Sequence, residues 1–98
     1  MKKLLIVFDM LNDFCHKDGV LAKSIVTGEY YAASIIDAVR LRVAQYRASS
    51  DAIIWLCDAH AEDDKEFDRF PAHAVKVTWG AKIISELDPV LVENNPFE

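Results

Sequence analysis

Two apolar runs, each closed by an aspartate, constrain this chain more than any other feature. Leu4-Leu5-Ile6-Val7-Phe8 runs into Asp9, and Ala52-Ile53-Ile54-Trp55-Leu56-Cys57 runs into Asp58. Unbroken apolar runs of this length read as strands buried on both faces, the kind found in parallel sheets. Between them, residues 29–49 carry apolar side chains at Ala32, Ile35, Ile36, Val39, Val43 and Tyr46, leaving Arg40, Arg42 and Arg47 for solvent. That is the stripe of an amphipathic helix. Strand, helix, strand is a βαβ unit, whose strands are parallel and whose crossover is right-handed. The predicted fold class is therefore α/β.

At 98 residues there is room for one domain, and residues 1–98 are read as a single one. A hydrophobic content of 52% is enough for a core and excludes the signature of disorder. With a net charge of −5 and scattered Lys and Arg, the chain lacks the basic footprint that nucleic acid or an anionic membrane surface requires. Neither apolar run is long enough to cross a membrane or to form a signal-peptide core. Cys15 and Cys57 make no CxxC pair and are too few for a disulfide framework. The expectation is a cytoplasmic protein with two free thiols.

Residues 12–28 read as a long loop leaving the carboxyl end of the first strand, and residues 59–78 as a second. Residues 80–87 suggest a short helix with Thr78 as N-cap and Pro89 as its stop, and Val90-Leu91-Val92 a third strand. In open α/β sheets ligands bind beyond the carboxyl ends of the strands, so Asp9 and Asp58 are expected to look into one crevice. The alternative is that each caps local backbone. Asp58-Ala59-His60 puts a carboxylate and an imidazole on the same side of an extended segment. With Glu66 and His73 further along, this is an oxygen and nitrogen set that zinc, manganese or iron would accept. A solvated acidic loop is the competing reading, because Glu62, Asp63, Asp64, Glu66 and Asp68 are equally suited to facing water. Calcium in an EF-hand is a poorer fit, since Asp63 stands where that turn needs glycine and Arg69 where it needs glutamate. Cys57 is expected to be a packed, inert thiol, and Cys15 shares no hydrogen-bond geometry with His16.

The stretch Leu5-Ile6-Val7-Phe8-Asp9-Met10-Leu11-Asn12-Asp13-Phe14-Cys15, with Gly19 and Leu21-Ala22, resembles the opening signature of the isochorismatase-like cysteine hydrolases. A second block strengthens the resemblance to the nicotinamidase-type branch. It comprises Asp58-Ala59-His60, Glu66-Phe67, Phe70-Pro71-Ala72-His73, Thr78-Trp79-Gly80-Ala81 and Glu86-Leu87-Asp88-Pro89. The resemblance implies a three-layer α/β/α sandwich around a mostly parallel sheet, of which this chain matches the amino-terminal half. It implies hydrolysis of a small amide by an Asp, Lys and Cys triad through a thioester. Asp9 matches the triad aspartate. Asp58, His60, Glu66 and His73 match a divalent-metal site, zinc in the first instance, which the resemblance implies holds the substrate's ring nitrogen. Phe14 and Phe70 match positions that pack on the substrate ring.

Three departures accompany the match. Cys15 and Cys57 fall at no nucleophile position, no lysine follows Lys82, and Ala74 and Val77 stand where the pattern favours Cys and Gly. In the family sheet the first strand is central. If its other neighbour is absent, Leu4 to Phe8 becomes an apolar edge, so a homo-oligomer or a complementary polypeptide is expected to cover it.

Overall fold

The computed structural model describes residues 3–23, 27–30 and 32–89, together with the backbone of residues 92–93. Strand β1 (Leu4–Phe8) leads through a short helix α1 (Asn12–Cys15) to the long helix α2 (Ala33–Ala48). Strand β2 (Ala52–Leu56) follows, and β3 (Val92–Glu93) comes after a series of 3₁₀ turns. The order is β1-β2-β3, with β1 and β2 parallel and in register from Leu4 opposite Ala52 to Phe8 opposite Leu56. The βαβ unit read from the two apolar runs is therefore present. β3 runs antiparallel to β2; Val90 and Leu91 of the expected third strand lie outside the described residues.

The core fills the space between α2 and one face of the sheet. Ala32, Ile36 and Val43 of the α2 segment meet Val7, Ile53 and Trp55, with Leu5, Val39 and Tyr46 packed at the margin. Ile84 and Leu87 close one side of this cluster. Ile35, expected on the buried stripe, is instead half exposed. The helix also starts later than its periodicity suggested. Tyr30 bridges Lys23 and its hydroxyl donates to the Cys15 carbonyl, which ties the preceding residues to the loop.

Period-two alternation sends Leu4, Ile6 and Phe8 to the opposite face, where they are 52, 42 and 62% exposed, beside Leu56 at 44%. The expectation of a strand buried on both faces thus holds only for the α2 side. Among the described residues, helix covers that one face.

The helix expected over residues 80–87 is broken into two 3₁₀ turns, Trp79–Ala81 and Ser85–Leu87. Its middle is pulled straight by the loop after β1. The Asn12 N–H donates to the Lys82 carbonyl at 2.8 Å, the Ile84 N–H donates to the Met10 carbonyl at 2.9 Å, and Leu11 bridges Ile83. Thr78 precedes the first turn without capping it; its hydroxyl donates to the Val75 carbonyl. No described helix is long and apolar enough to cross a membrane.

Candidate metal centre

Asp9 ends β1 with φ at +52°, in the left-handed region that aspartate tolerates better than branched residues. Its N–H extends the ladder to the Leu56 carbonyl at 2.9 Å, and its Oδ1 accepts the Asp58 N–H at 2.9 Å. The two strand-end aspartates are thus neighbours on one edge, and Asp9 fixes the backbone from which Asp58 projects. Of the two roles posed for Asp9, the bond to the Asp58 N–H is the capping of local backbone.

Two residues beyond Asp58, His60 is clamped against residues 74–76. Its N–H donates to the Ala74 carbonyl at 2.8 Å and its carbonyl accepts the Lys76 N–H at 2.9 Å. This pairing carries His73 beside it, with the ring centroids 5.0 Å apart. Glu66 arrives from the 3₁₀ turn Lys65–Asp68, whose N-cap Asp64 accepts the Glu66 N–H. The result is a close group. Asp58 Oδ2 lies 2.7 Å from His60 Nε2, and the Glu66 carboxylate lies 3.3 Å from His60 Nε2 and 3.5 Å from His73 Nε2. Ligand atoms of Asp58, His60 and His73 all fall within 4.8 Å of one another.

The other ring nitrogens are engaged. His73 Nδ1 lies 2.7 Å from the Pro71 carbonyl, which can only accept, so the proton belongs on Nδ1 and the lone pair on Nε2. His60 Nδ1 lies 2.9 Å from Asp64 Oδ2, with the same consequence. His60 Nε2 is buried and has no hydrogen-bond partner, because its close approach to Asp58 lacks the alignment of a hydrogen bond. A buried lone pair facing carboxylate oxygens is repulsive unless a cation or a proton lies between them. The donor set therefore fits a divalent metal. Without one, a proton takes part of that role: the hydrogen bond to Asp64 holds the His60 pKa above the usual imidazole value, burial opposes the shift, and Asp58, Glu66 and Asp64 add to it. Asp64 is held below the usual carboxylate range, first by the Glu66 N–H and then by His60.

Aromatic rings border the group. Phe14 and Phe70 lie 5.6 and 6.5 Å from the His73 ring, both edge-on. Phe67, which the sequence reading did not single out, packs edge-on against both imidazoles at 5.5 and 5.3 Å.

Asp13 is a second residue that the sequence reading passed over. It is buried, and its carboxylate accepts the N–H of Ala74 at 2.9 Å and of Val20 at 3.3 Å. Gly80 lies so close that an added Cβ would stand 1.9 Å from Asp13 Oδ2. The neighbouring Asn12 side chain donates to the Trp79 carbonyl at 2.8 Å. Helix α1 thereby fastens the histidine-bearing loop to the end of β1.

Neither thiol has the environment of an activated nucleophile. Cys15 is buried, and desolvation, with Glu86 and Asp9 nearby, pushes its pKa up. Cys57 was expected to be packed within the second strand, but β2 ends at Leu56 and Cys57 is exposed. Its pKa is still raised, by partial desolvation and by Asp9.

The isochorismatase domain model matches residues 3–97. The chain belongs to the isochorismatase family. Its fold is similar to the N-carbamoylsarcosine amidase of Thermoplasma acidophilum, at 30% identity over 92% of this chain with a TM-score of 0.74. A nicotinamidase/pyrazinamidase of Bacillus subtilis is 28% identical over 89% of the chain with a TM-score of 0.71. The pyrazinamidase of Pyrococcus horikoshii, solved in complex with zinc, is 26% identical over 86% with a TM-score of 0.69. The chain spans about half the length of these solved proteins, covering 47, 46 and 45% of them. None of the curated proteins compared matches it.

Proposed function

We propose that this chain is the amino-terminal half of a nicotinamidase-like cysteine amidohydrolase acting on a small amide, and that it contributes the triad aspartate and the metal loop. The observation that carries the reading is the contact of Asp9 with the backbone of Asp58, which joins the residue matching the family's acid to the group of Asp58, His60 and His73, with Glu66 beside both imidazoles. In this reading Asp9 accepts the proton of a nucleophilic thiol, and the Asp58 N–H on its Oδ1 orients the carboxylate for that task. Asp58, His60, Glu66 and His73 hold a divalent ion, zinc before manganese or iron. When bound, the ion supplies Lewis acidity and an anchor for a substrate lone pair. Phe14 and Phe70 pack on the substrate ring and keep water from it.

In this reading the nucleophilic cysteine and the lysine that supports it come from polypeptide beyond these residues, because no cysteine or lysine of this sequence stands at the family pattern's positions for them. That polypeptide also covers β1, which among the described strands lies at the edge of the sheet with a half-exposed apolar face, a template for aggregation. We place the protein in the cytoplasm, as its two free thiols suggest, with no nucleic-acid or membrane partner. A second reading is a noncatalytic metal-holding module that oligomerises through the same face.

The test combines mass spectrometry of the natively purified particle with ammonia release from nicotinamide. A second species, or a longer chain, carrying a reactive cysteine and an activity lost in Asp9→Asn is the expected result. The 98-residue chain found alone, self-associated, zinc-loaded and inactive would establish the second reading instead.

A further inference from the structure

Asp64 lies outside the ligand set that the family resemblance assigns, yet it touches two of its limbs. Its Oδ2 is 2.9 Å from His60 Nδ1, and its Oδ1 accepts the Glu66 N–H at 2.8 Å. We propose that Asp64 is a positioning residue for the metal site: one carboxylate oxygen holds His60 with its proton on Nδ1 and its lone pair on Nε2, and the other caps the turn that delivers Glu66. The inference rests on the metal reading above.

Three observations carry it. The first is the unpartnered, buried His60 Nε2, which shows which nitrogen is left for a ligand once Asp64 has taken the other. The second is the parallel arrangement at His73, where the Pro71 carbonyl occupies Nδ1 at 2.7 Å and leaves Nε2 directed to the same carboxylate of Glu66. Two imidazoles with the same nitrogen engaged by an acceptor and the same nitrogen turned inward are what a metal site requires of the groups behind its ligands. The third is division of labour. A hydrogen bond at each oxygen fixes the carboxylate in one rotamer, so the His60 ring and the Glu66 backbone are set by a single side chain. A direct ligand role competes with this, because His60, Asp64 and Glu66 also form a close group. Asp64 Oδ2, however, faces Nδ1, away from the nitrogen shared with Asp58.

The three substitutions that separate these roles are Asp64→Ala, Asp64→Ser and Asp64→Asn. Serine retains a cap for the Glu66 N–H but does not reach the imidazole. Asparagine retains an acceptor for His60 Nδ1 and turns a donor toward the Glu66 N–H. Alanine loses both. Zinc affinity of the 98-residue chain is measured by competition with a chromophoric chelator, and the Co²⁺ absorption bands report the ligand set. The expected order of affinity is wild type, then serine and asparagine, then alanine, with alanine about 10- to 100-fold weaker. The Co²⁺ bands of Asp64→Asn should superimpose on those of the wild type. In the metal-free chain, nitrogen NMR at a pH where the ring is neutral should find the His60 proton on Nδ1, and alanine should redistribute it.

Equal affinity in wild type and Asp64→Ala overturns the inference and leaves the metal reading standing. Full recovery in Asp64→Ser reduces Asp64 to a cap and overturns it too. An Asp64→Asn as weak as alanine, with shifted Co²⁺ bands, makes Asp64 a ligand. A wild-type chain that takes up no zinc removes the metal reading itself, and this inference with it.

Discussion

The loop carrying the ligands and the outer face of β1 are built in opposite ways. Residues 58–80 are held by backbone and side-chain bonds from Asp9 at the end of β1, from α1 and from within the loop itself, and the contact of Gly80 with Asp13 leaves no space for a side chain. The outer face of β1 presents Leu4, Ile6 and Phe8 to solvent. Polar groups that must be fixed in space are satisfied locally, whereas apolar groups wait for a surface to cover them. The ligand loop is thus fixed by bonds that reach it from residues 9–13, far away in the sequence, as well as by its own turns.

The largest effect should come from opposing the two faces of the sheet. Ile53 is fully buried against α2, and Ile53→Ala should cost the 98-residue chain about 2–5 kcal/mol in urea unfolding. Ile6, on a neighbouring strand but 42% exposed, should cost about 1 kcal/mol or less as Ile6→Ala. Comparable losses at the two positions would mean that the outer face is already covered in the isolated chain. With a completing polypeptide bound, the Ile6 cost should rise toward that of Ile53.

Next in size is a test of the loop's tight closure. Gly80→Ala sets a Cβ against the buried, doubly bonded Asp13 carboxylate, which cannot swing aside without abandoning the Ala74 or Val20 N–H. A loss of about 1–3 kcal/mol in thermal or urea unfolding is expected, as for other overpacked sites. An unchanged midpoint would show that Asp13 does not fasten α1 to the histidine loop.

Smaller, and opposite in sign, is Val77→Gly. Val77 is fully exposed with φ at +67°, a conformation that a β-branched residue adopts only under strain. Glycine relieves that strain at a cost in unfolded-chain entropy, and the net expectation is a gain of up to about 1 kcal/mol. A fall in stability would mean that the valine makes contacts its exposure denies.

These positions also mark how far the sequence could be read. The βαβ unit was legible because its apolar runs are continuous and its helix periodic. Asp58 and His60 were legible as a pair because two-residue spacing in an extended segment sends both side chains to one side. Val77 was legible only as a departure from a position where the family pattern favours glycine; its left-handed backbone came from the structure. The roles of Asp13 and Gly80 were not legible, because a contact across 67 residues leaves no local pattern. Asp64 did leave a signal, an Asx cap two residues before Glu66, but it was hidden among the surrounding carboxylates. The helix over residues 80–87 failed for a different reason: bonds to Met10, Leu11 and Asn12 outweighed local propensity.

The smallest expected effect concerns Cys57, which sits between the two regions as an exposed thiol beside Asp9. Exposure alone predicts brisk alkylation at neutral pH, but partial desolvation and the Asp9 charge both favour the thiol over the thiolate. Iodoacetamide labelling of Cys57, followed by peptide mass spectrometry, should therefore be slower than that of an unstructured cysteine and should climb across the alkaline range. Asp9→Asn removes the negative charge and should move the profile to lower pH, with a several-fold faster rate at neutral pH. Because Asp9 also holds the Asp58 backbone, zinc affinity measured on the same variant separates the two consequences. A faster thiol with unchanged zinc binding would assign to Asp9 only its charge, while a joint change would show that the strand-end carboxylate also secures the first ligand.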